Sequence, residues 1–155
     1  MSIETWKDEF YPIPADDKRL RTRVACLEHS IRKWVGLRKA NLKKHGCFAS
    51  TRTLPNIEDK DGNCFYVSMS SCALCVRWGC EDGSRSSCPI VQALGFSCDS
   101  AEGFGTSLWD RWNWDSDPEP MIRALRKVLR AIKAELAAAK DRRPMNAQQA
   151  RKGKA

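Results

Sequence analysis

The chain has 155 residues, enough for one domain and short for two. Its hydrophobic share of 42% permits an ordinary core, and no stretch approaches the roughly 20 apolar residues that cross a bilayer. The acidic first residues lack the apolar run of a secretory signal, which predicts a cytoplasmic protein. The net charge of +8 is divided unevenly, because residues 18–45 and 121–155 each carry +9 while residues 71–120 carry −5.

Residues 1–15 show neither a helical nor a strand period and are predicted to form an extended arm. A first amphipathic helix is predicted to begin at Asp16 or Asp17, whose carboxylates suit a helix N-terminus. A helix over residues 17–45 would be about 44 Å long at 1.5 Å per residue, which is long for a domain of this size and allows a break near Gly36. Gly46 is expected to end it. The apolar stripe of this helix consists of Leu20, Val24, Leu27, Ile31, Trp34, Val35 and Leu42.

Residues 47–70 are predicted to form a β-hairpin in which a polar loop, IEDKDGN, joins two strands. The first strand is expected near Cys47–Leu54. In the second, Phe65, Val67 and Met69 alternate with polar or amphipathic residues, the two-residue period of a half-buried strand. A cysteine-rich loop region follows over residues 71–100.

The last helix is predicted from an N-cap at Asp117, a proline at the first helical position, and an apolar stripe over residues 122–136. Pro144 is expected to end it, leaving a disordered basic tail. The predicted organisation is thus an arm over residues 1–15, a domain over 16–143 and a tail over 144–155. The fold class is α+β: two amphipathic helices, a small hairpin and a zinc-held loop region.

Five cysteines lie within residues 72–98, which favours a metal site in a reducing compartment. The C-x-x-C turn of Cys72 and Cys75 can direct two sulfurs at one ion, and structural zinc commonly takes four thiolates in a tetrahedron. Cys88, fixed by the following proline, and Cys98 are the other two candidates, with Cys80 as the spare. The predicted zinc ligands are therefore Cys72, Cys75, Cys88 and Cys98.

Three alternatives to zinc remain open at this point. An iron–sulfur cluster would suit the Cys-Pro pair, although the spacing C-x₂-C-x₄-C-x₇-C-P differs from the ferredoxin pattern. Disulfide or redox chemistry is a second alternative, and buried thiols without a ligand are the third.

The order of these features resembles small, functionally unassigned proteins encoded by tailed bacteriophages. The matching residues are Leu27, Ile31, Trp34, Cys72-Ala-Leu-Cys75, Cys88-Pro89-Ile90, Gly95, Cys98, Trp109 and Met121. In that pattern another cysteine commonly lies close before the Cys-Pro pair, whereas Cys80 here stands eight residues before Cys88. The resemblance implies a phage origin, hence the host cytoplasm, and a metal held by cysteines; it implies no activity.

Each helix carries a basic face beside its apolar stripe. In the last helix this face consists of Arg123, Arg126, Lys127, Arg130 and Lys133. The first helix repeats it with Lys18, Arg19, Arg21, Arg32, Lys33, Lys39 and Lys43. Helical faces with only positive charge favour a polyanionic partner such as nucleic acid. An acidic patch on a host protein would also be attracted to them.

The sequence therefore predicts a non-enzymatic zinc-binding protein that binds nucleic acid through its basic helical faces. No phosphate-binding glycine loop or nucleophile motif is present, and an all-cysteine zinc site leaves no position for a catalytic water. The alternative is a small phage effector that binds and modulates a host protein. In that case Trp112 and Trp114 would centre the interface, while Trp109 is expected in the core.

Overall fold

The computed structural model of the chain describes residues 1–50, 55–79, 87–99 and 107–152, with side chains up to residue 141. Its helices are α1 (Ile3–Phe10), α2 (Arg23–Gly36), α3 (Lys39–Lys44), α4 (Ala73–Trp78), α5 (Pro89–Leu94), α6 (Leu108–Asp115) and α7 (Glu119–Lys152). Its strands are β1 (Cys47–Ser50), β2 (Asn56–Asp59) and β3 (Cys64–Tyr66), and a 3-10 turn spans Met69–Ser71. The α+β class is confirmed, but two helices understate the helical content of the described residues, since the predicted loop region itself contains α4 and α5.

The predicted first helix is divided into α2 and α3, with the break at Gly36. The predicted start at Asp16 or Asp17 is wrong. The carboxylate of Asp17 instead accepts hydrogen bonds from the backbone and guanidinium of Arg19, which closes a turn before the helix. Thr22 is the N-cap, and its hydroxyl accepts the Ala25 N–H at 3.1 Å.

Residues 3–10 form a helix where the sequence predicted an extended arm. Ile3, Trp6 and Phe10 are buried and lie on one face of α1, because their spacings of three and four residues match the helical period. The Trp6 indole is fully buried and donates a hydrogen bond from Nε1 to the carbonyl oxygen of Gly36 at 2.9 Å. These contacts attach α1 to the end of α2; the domain boundary at residue 16 stays a prediction.

Gly36→Ala is expected to destabilise the protein by about 1–3 kcal/mol, the usual cost of overpacking a core. A Cβ at residue 36 would lie 2.6 Å from both Cβ and Cγ of Phe10, so α1 would have to move. In a helix without this contact the same exchange stabilises by roughly 0.5–1 kcal/mol, so the sign of the effect is diagnostic. Urea unfolding measures it, and an unchanged or increased free energy of unfolding would contradict the docking of α1.

The strands form an antiparallel sheet in the order β1-β2-β3, in which Cys47 pairs with Asp59 and Ile57 pairs with Phe65. The predicted polar loop thus contains a strand, β2, because Ile57 is fully buried and requires a place in the core. The predicted end of the first strand, residues 51–54, lies outside the described residues. The second predicted strand ends at Tyr66, and Met69 belongs to the 3-10 turn.

The Asp59 carboxylate connects α1 to the turn between β2 and β3. One oxygen accepts the Ile3 N–H at 3.0 Å, and the other accepts the N–H groups of Asp61 and Asn63, each at 3.0 Å. The Asn63 side-chain amide donates to both oxygens. The hydrogen bond from Ile3, followed by those from Asn63 and Asp61, lowers the pKa of this buried carboxyl.

Asp59→Asn is expected to lower stability at neutral pH and to flatten its acid dependence. A pKa depressed by folding adds stability at pH values above the unfolded value of about 3.9, and this contribution is lost as the pH falls through the folded value. The free energy of unfolding, measured from neutral pH into this acid range, should therefore fall less in the variant than in wild type. Asp61→Asn, at an exposed position in the same turn, is the matched control and should keep the wild-type slope.

Helix α7 begins at Glu119, one residue later than predicted, because Pro118 precedes the first helical residue instead of occupying that position. The Asp117 carboxylate accepts the Glu119 N–H at 3.0 Å. Helix α7 packs against α2 and α5, and its buried residues are Met121, Ile122, Leu125, Val128 and Ile132. The predicted end at Pro144 is wrong, since α7 continues to Lys152. Alanine, glutamine, arginine and lysine after residue 144 favour a helix, while Pro144 costs it one backbone hydrogen bond and a steric clash with the preceding turn. No helix in the described residues is both long and apolar enough to cross a membrane.

Candidate metal centre and basic surface

The four predicted zinc ligands line a single cavity of about 640 Å³. Cys72 is the N-cap of α4 and Cys75 lies in its first turn, while Cys88 is the N-cap of α5 with Pro89 at the first helical position. Cys98 precedes α6, and its carbonyl oxygen accepts the Trp109 N–H at 2.9 Å. The first turns of two short helices and the segment after α5 therefore place the four cysteines around one cavity.

Within the described residues, no group of three or more histidine, cysteine, aspartate or glutamate side chains is arranged to hold a metal ion. The sulfurs thus share a cavity without forming a finished coordination shell. Cys80, the spare ligand, lies outside the described residues. Cys26, Cys47 and Cys64 are free thiols that do not line this cavity.

Lys33 also lines the cavity and is completely buried. Its Nζ donates to the carbonyl oxygen of Ser71 at 2.9 Å and to the Ser71 hydroxyl at 3.1 Å, and it lies 5.6 Å from the centre of the Trp34 ring. The prediction of Lys33 on an exposed basic face is wrong, because α4 and the 3-10 turn cover that side of α2. The sequence signal that could have found it is its position three residues after Ser30 and seven after Cys26, which are both fully buried.

The charges in the cavity favour ionised sulfur. A hydrogen bond from Cys75 and the nearby positive charge of Lys33 hold the pKa of the Cys72 thiol well below its usual range, against the effect of burial. The Ser30 hydroxyl lies 3.8 Å from the same sulfur. Burial lowers the pKa of Lys33, and Cys72, Cys75 and Cys98 act in the opposite direction when ionised. Thiolate is the form that binds metal, so the lowered pKa of Cys72 favours metal binding at that sulfur.

The predicted basic residues of α7 are all exposed: Arg123, Arg126, Lys127, Arg130 and Lys133. Lys133 forms an ion pair with Glu28 of α2 at 2.8 Å. The other four form no ion pair with any residue that the structure describes. They extend along about 10 Å of the helix, at 1.5 Å per residue, and present positive charge to solvent.

The tryptophans of α6 divide between the core and the surface. Trp109 and Trp112 make edge-to-face contacts with Trp34, each with ring centroids 6.0 Å apart. Trp109 is thereby packed against the core, as predicted, and Trp112 is buried. Trp114 is 80% exposed.

Comparison of the chain with protein-family models, with curated proteins and with solved structures gives no match in any of the three. The candidate sites therefore have to be interpreted from their own chemistry.

Proposed function

We propose that this protein is a non-enzymatic, zinc-stabilised accessory protein of the phage type that binds nucleic acid through the basic face of α7. Two parts of the molecule support the proposal: the cavity lined by four cysteines and the exposed cations of α7. The cavity would supply stability, and α7 would supply binding.

Zinc suits the cavity because its preferred thiolate donors are all present and a buried cation faces them. Cys72, Cys75, Cys88 and Cys98 would hold the ion after their sulfurs approach one another. Such a site is closed, so it would stabilise the fold instead of activating water.

Native mass spectrometry of reduced protein, purified without a metal-affinity column, tests the zinc proposal. One zinc ion per chain, with all thiols intact, is the expected result. A chain that is metal-free after incubation with zinc would refute it, and a mass lower by pairs of hydrogens would show disulfides instead.

The exposed cations of α7 favour a polyanionic partner, and the phosphate backbone of nucleic acid carries the opposite charge. Binding through such contacts requires no base recognition, so we expect little sequence preference. The test is the salt dependence of binding to a labelled DNA duplex and a labelled single strand. The logarithm of the binding constant should fall linearly with the logarithm of salt concentration, and binding that is absent at low salt would refute the proposal.

The second candidate function is that of a phage effector that binds a host protein, and the exposure of Trp114 favours it. Tryptophan is frequent at protein-binding hot spots, and an indole 80% exposed has a large apolar area left to bury. Both candidate functions would operate in the cytoplasm, where free thiols persist. Trp114→Ala should leave binding to nucleic acid unchanged if α7 alone carries it, and should abolish a protein interface centred on α6.

A further inference from the structure

We infer that Lys33 is a buried counter-ion of the metal centre, which would offset part of the negative charge of the zinc thiolates. The inference rests on the proposed zinc site and concerns a residue that is not one of its ligands.

The buried Lys33 ammonium group donates hydrogen bonds to neutral groups. Its Nζ is completely buried, and its two hydrogen-bond partners, the carbonyl and the hydroxyl of Ser71, are both neutral. In the described part of the chain, no carboxylate forms an ion pair with it. Burying an ammonium group without an anion is costly, so buried lysines are almost always paired.

The proposed zinc centre would itself carry a negative charge. Four thiolates around one divalent zinc leave a dianionic group, and this group would also lie inside the protein. Lys33 lines the same cavity as all four cysteines, so metal binding would place the dianionic group and the buried ammonium in one cavity. The Ser71 contacts then fix the position of the ammonium next to the sulfurs.

A counter-ion role and a purely structural role predict different effects of replacing Lys33. If Lys33 only held the 3-10 turn through Ser71, replacing it would weaken the protein equally with and without zinc. If it balances the centre, its removal weakens zinc binding selectively. The stability lost in the zinc-bound protein then exceeds the stability lost in the metal-free protein, where the dianionic group is absent.

The experiment compares wild type, Lys33→Met and Ser71→Ala. Zinc affinity is measured by competition with a chromophoric chelator at fixed pH, and thermal stability is measured with and without zinc. Lys33→Met is expected to reduce zinc affinity by about 10- to 100-fold, the range for residues that support metal ligands without touching the metal. Ser71→Ala keeps the charge and should reduce zinc affinity far less. If Lys33→Met does not fold, Lys33→Gln removes the charge and retains a donor for the Ser71 carbonyl, with the same loss expected.

The outcomes distinguish this inference from the zinc proposal. Wild type that binds zinc, together with a neutral variant at residue 33 of equal affinity, would overturn the counter-ion role and leave the zinc site standing. An equal loss of affinity in Ser71→Ala would also overturn it, in favour of a structural role. Wild type that binds no zinc would overturn both.

Discussion

Replacing Cys72 with serine is expected to abolish zinc binding and to unfold the region built on α4 and α5. A serine hydroxyl is a poor zinc ligand, so the centre would lose a donor and the other thiols would lose their common partner. Structural zinc provides about 10 kcal/mol in small modules, which exceeds most single substitutions. Because α4 packs against α2, the effect should extend beyond the cysteine segment and appear as a lower melting temperature and poor solubility.

The matched control is Cys64→Ser, which makes the same chemical change at a partly buried cysteine of β3 outside the cavity. It should bind one zinc ion and melt close to wild type. Native mass spectrometry gives the metal content, and circular dichroism gives the melting curve. If Cys72→Ser instead kept the wild-type melting temperature and solubility, the structural role of zinc would be refuted.

The same measurement on the other cysteines defines the ligand set. Serine at Cys75, Cys88 or Cys98 should each reproduce the loss of zinc, whereas serine at Cys80 should not. If the effects at Cys98 and Cys80 were exchanged, the fourth ligand would be Cys80. Removing zinc from wild type with a strong chelator should give the melting behaviour of Cys72→Ser, because both treatments leave the same cavity without its ion.

Much of α2 and α7 follows from the sequence because local signals agree there. Asp117 and Pro118 determine the start of α7, and the apolar stripe after them determines the face that packs on α2. The division after α2 coincides with Gly36, where a glycine lets the Phe10 ring approach the backbone. At the start of α7 the residues that decide the structure lie within a few positions of one another, whereas Gly36 contacts Phe10, which is distant along the chain.

The elements that sequence reasoning missed depend on residues distant along the chain. Helix α1 contains only eight residues, and its stability comes from the burial of Trp6 against α2, thirty residues later. Strand β2 lies in a segment of turn-forming residues, and its pairing with β1 and β3 decides its conformation. Lys33 follows Cys26 and Ser30 at helical spacing, but none of the three belongs to the predicted apolar stripe, and the packing of α4 on α2 decides their burial.

The second large effect is expected on the surface of α7. The double variant Arg126→Gln/Arg130→Gln removes two exposed cations that form no ion pair with any described residue. Binding to nucleic acid should weaken about equally for different sequences. The salt slope should fall by about 1 for each phosphate that the variant no longer neutralises, about 2 in total. Stability should change by less than about 0.5 kcal/mol per site, since both side chains point to solvent.

The matched control, Lys39→Gln/Lys43→Gln, changes the net charge by the same amount at exposed positions of α3. Fluorescence anisotropy with labelled DNA at several salt concentrations measures both variants. If the two pairs have equal effects, the protein responds to overall charge, and α7 is not a defined surface. If neither pair has an effect, the anion binds elsewhere.

A gain of binding provides the sharpest check on this surface. Lys133 is the member of the basic face that forms an ion pair among the described residues, and its partner is the Glu28 carboxylate at 2.8 Å. Glu28→Gln removes that competitor and leaves Lys133 able to reach a phosphate, so affinity and salt slope should both increase, the slope by about 1. When Lys133 is already glutamine, Glu28→Gln should increase the affinity and the salt slope much less, because the substitution then releases no cation. A Glu28→Gln variant that binds no better than wild type would place Lys133 outside the interface and shorten it to Arg123–Arg130.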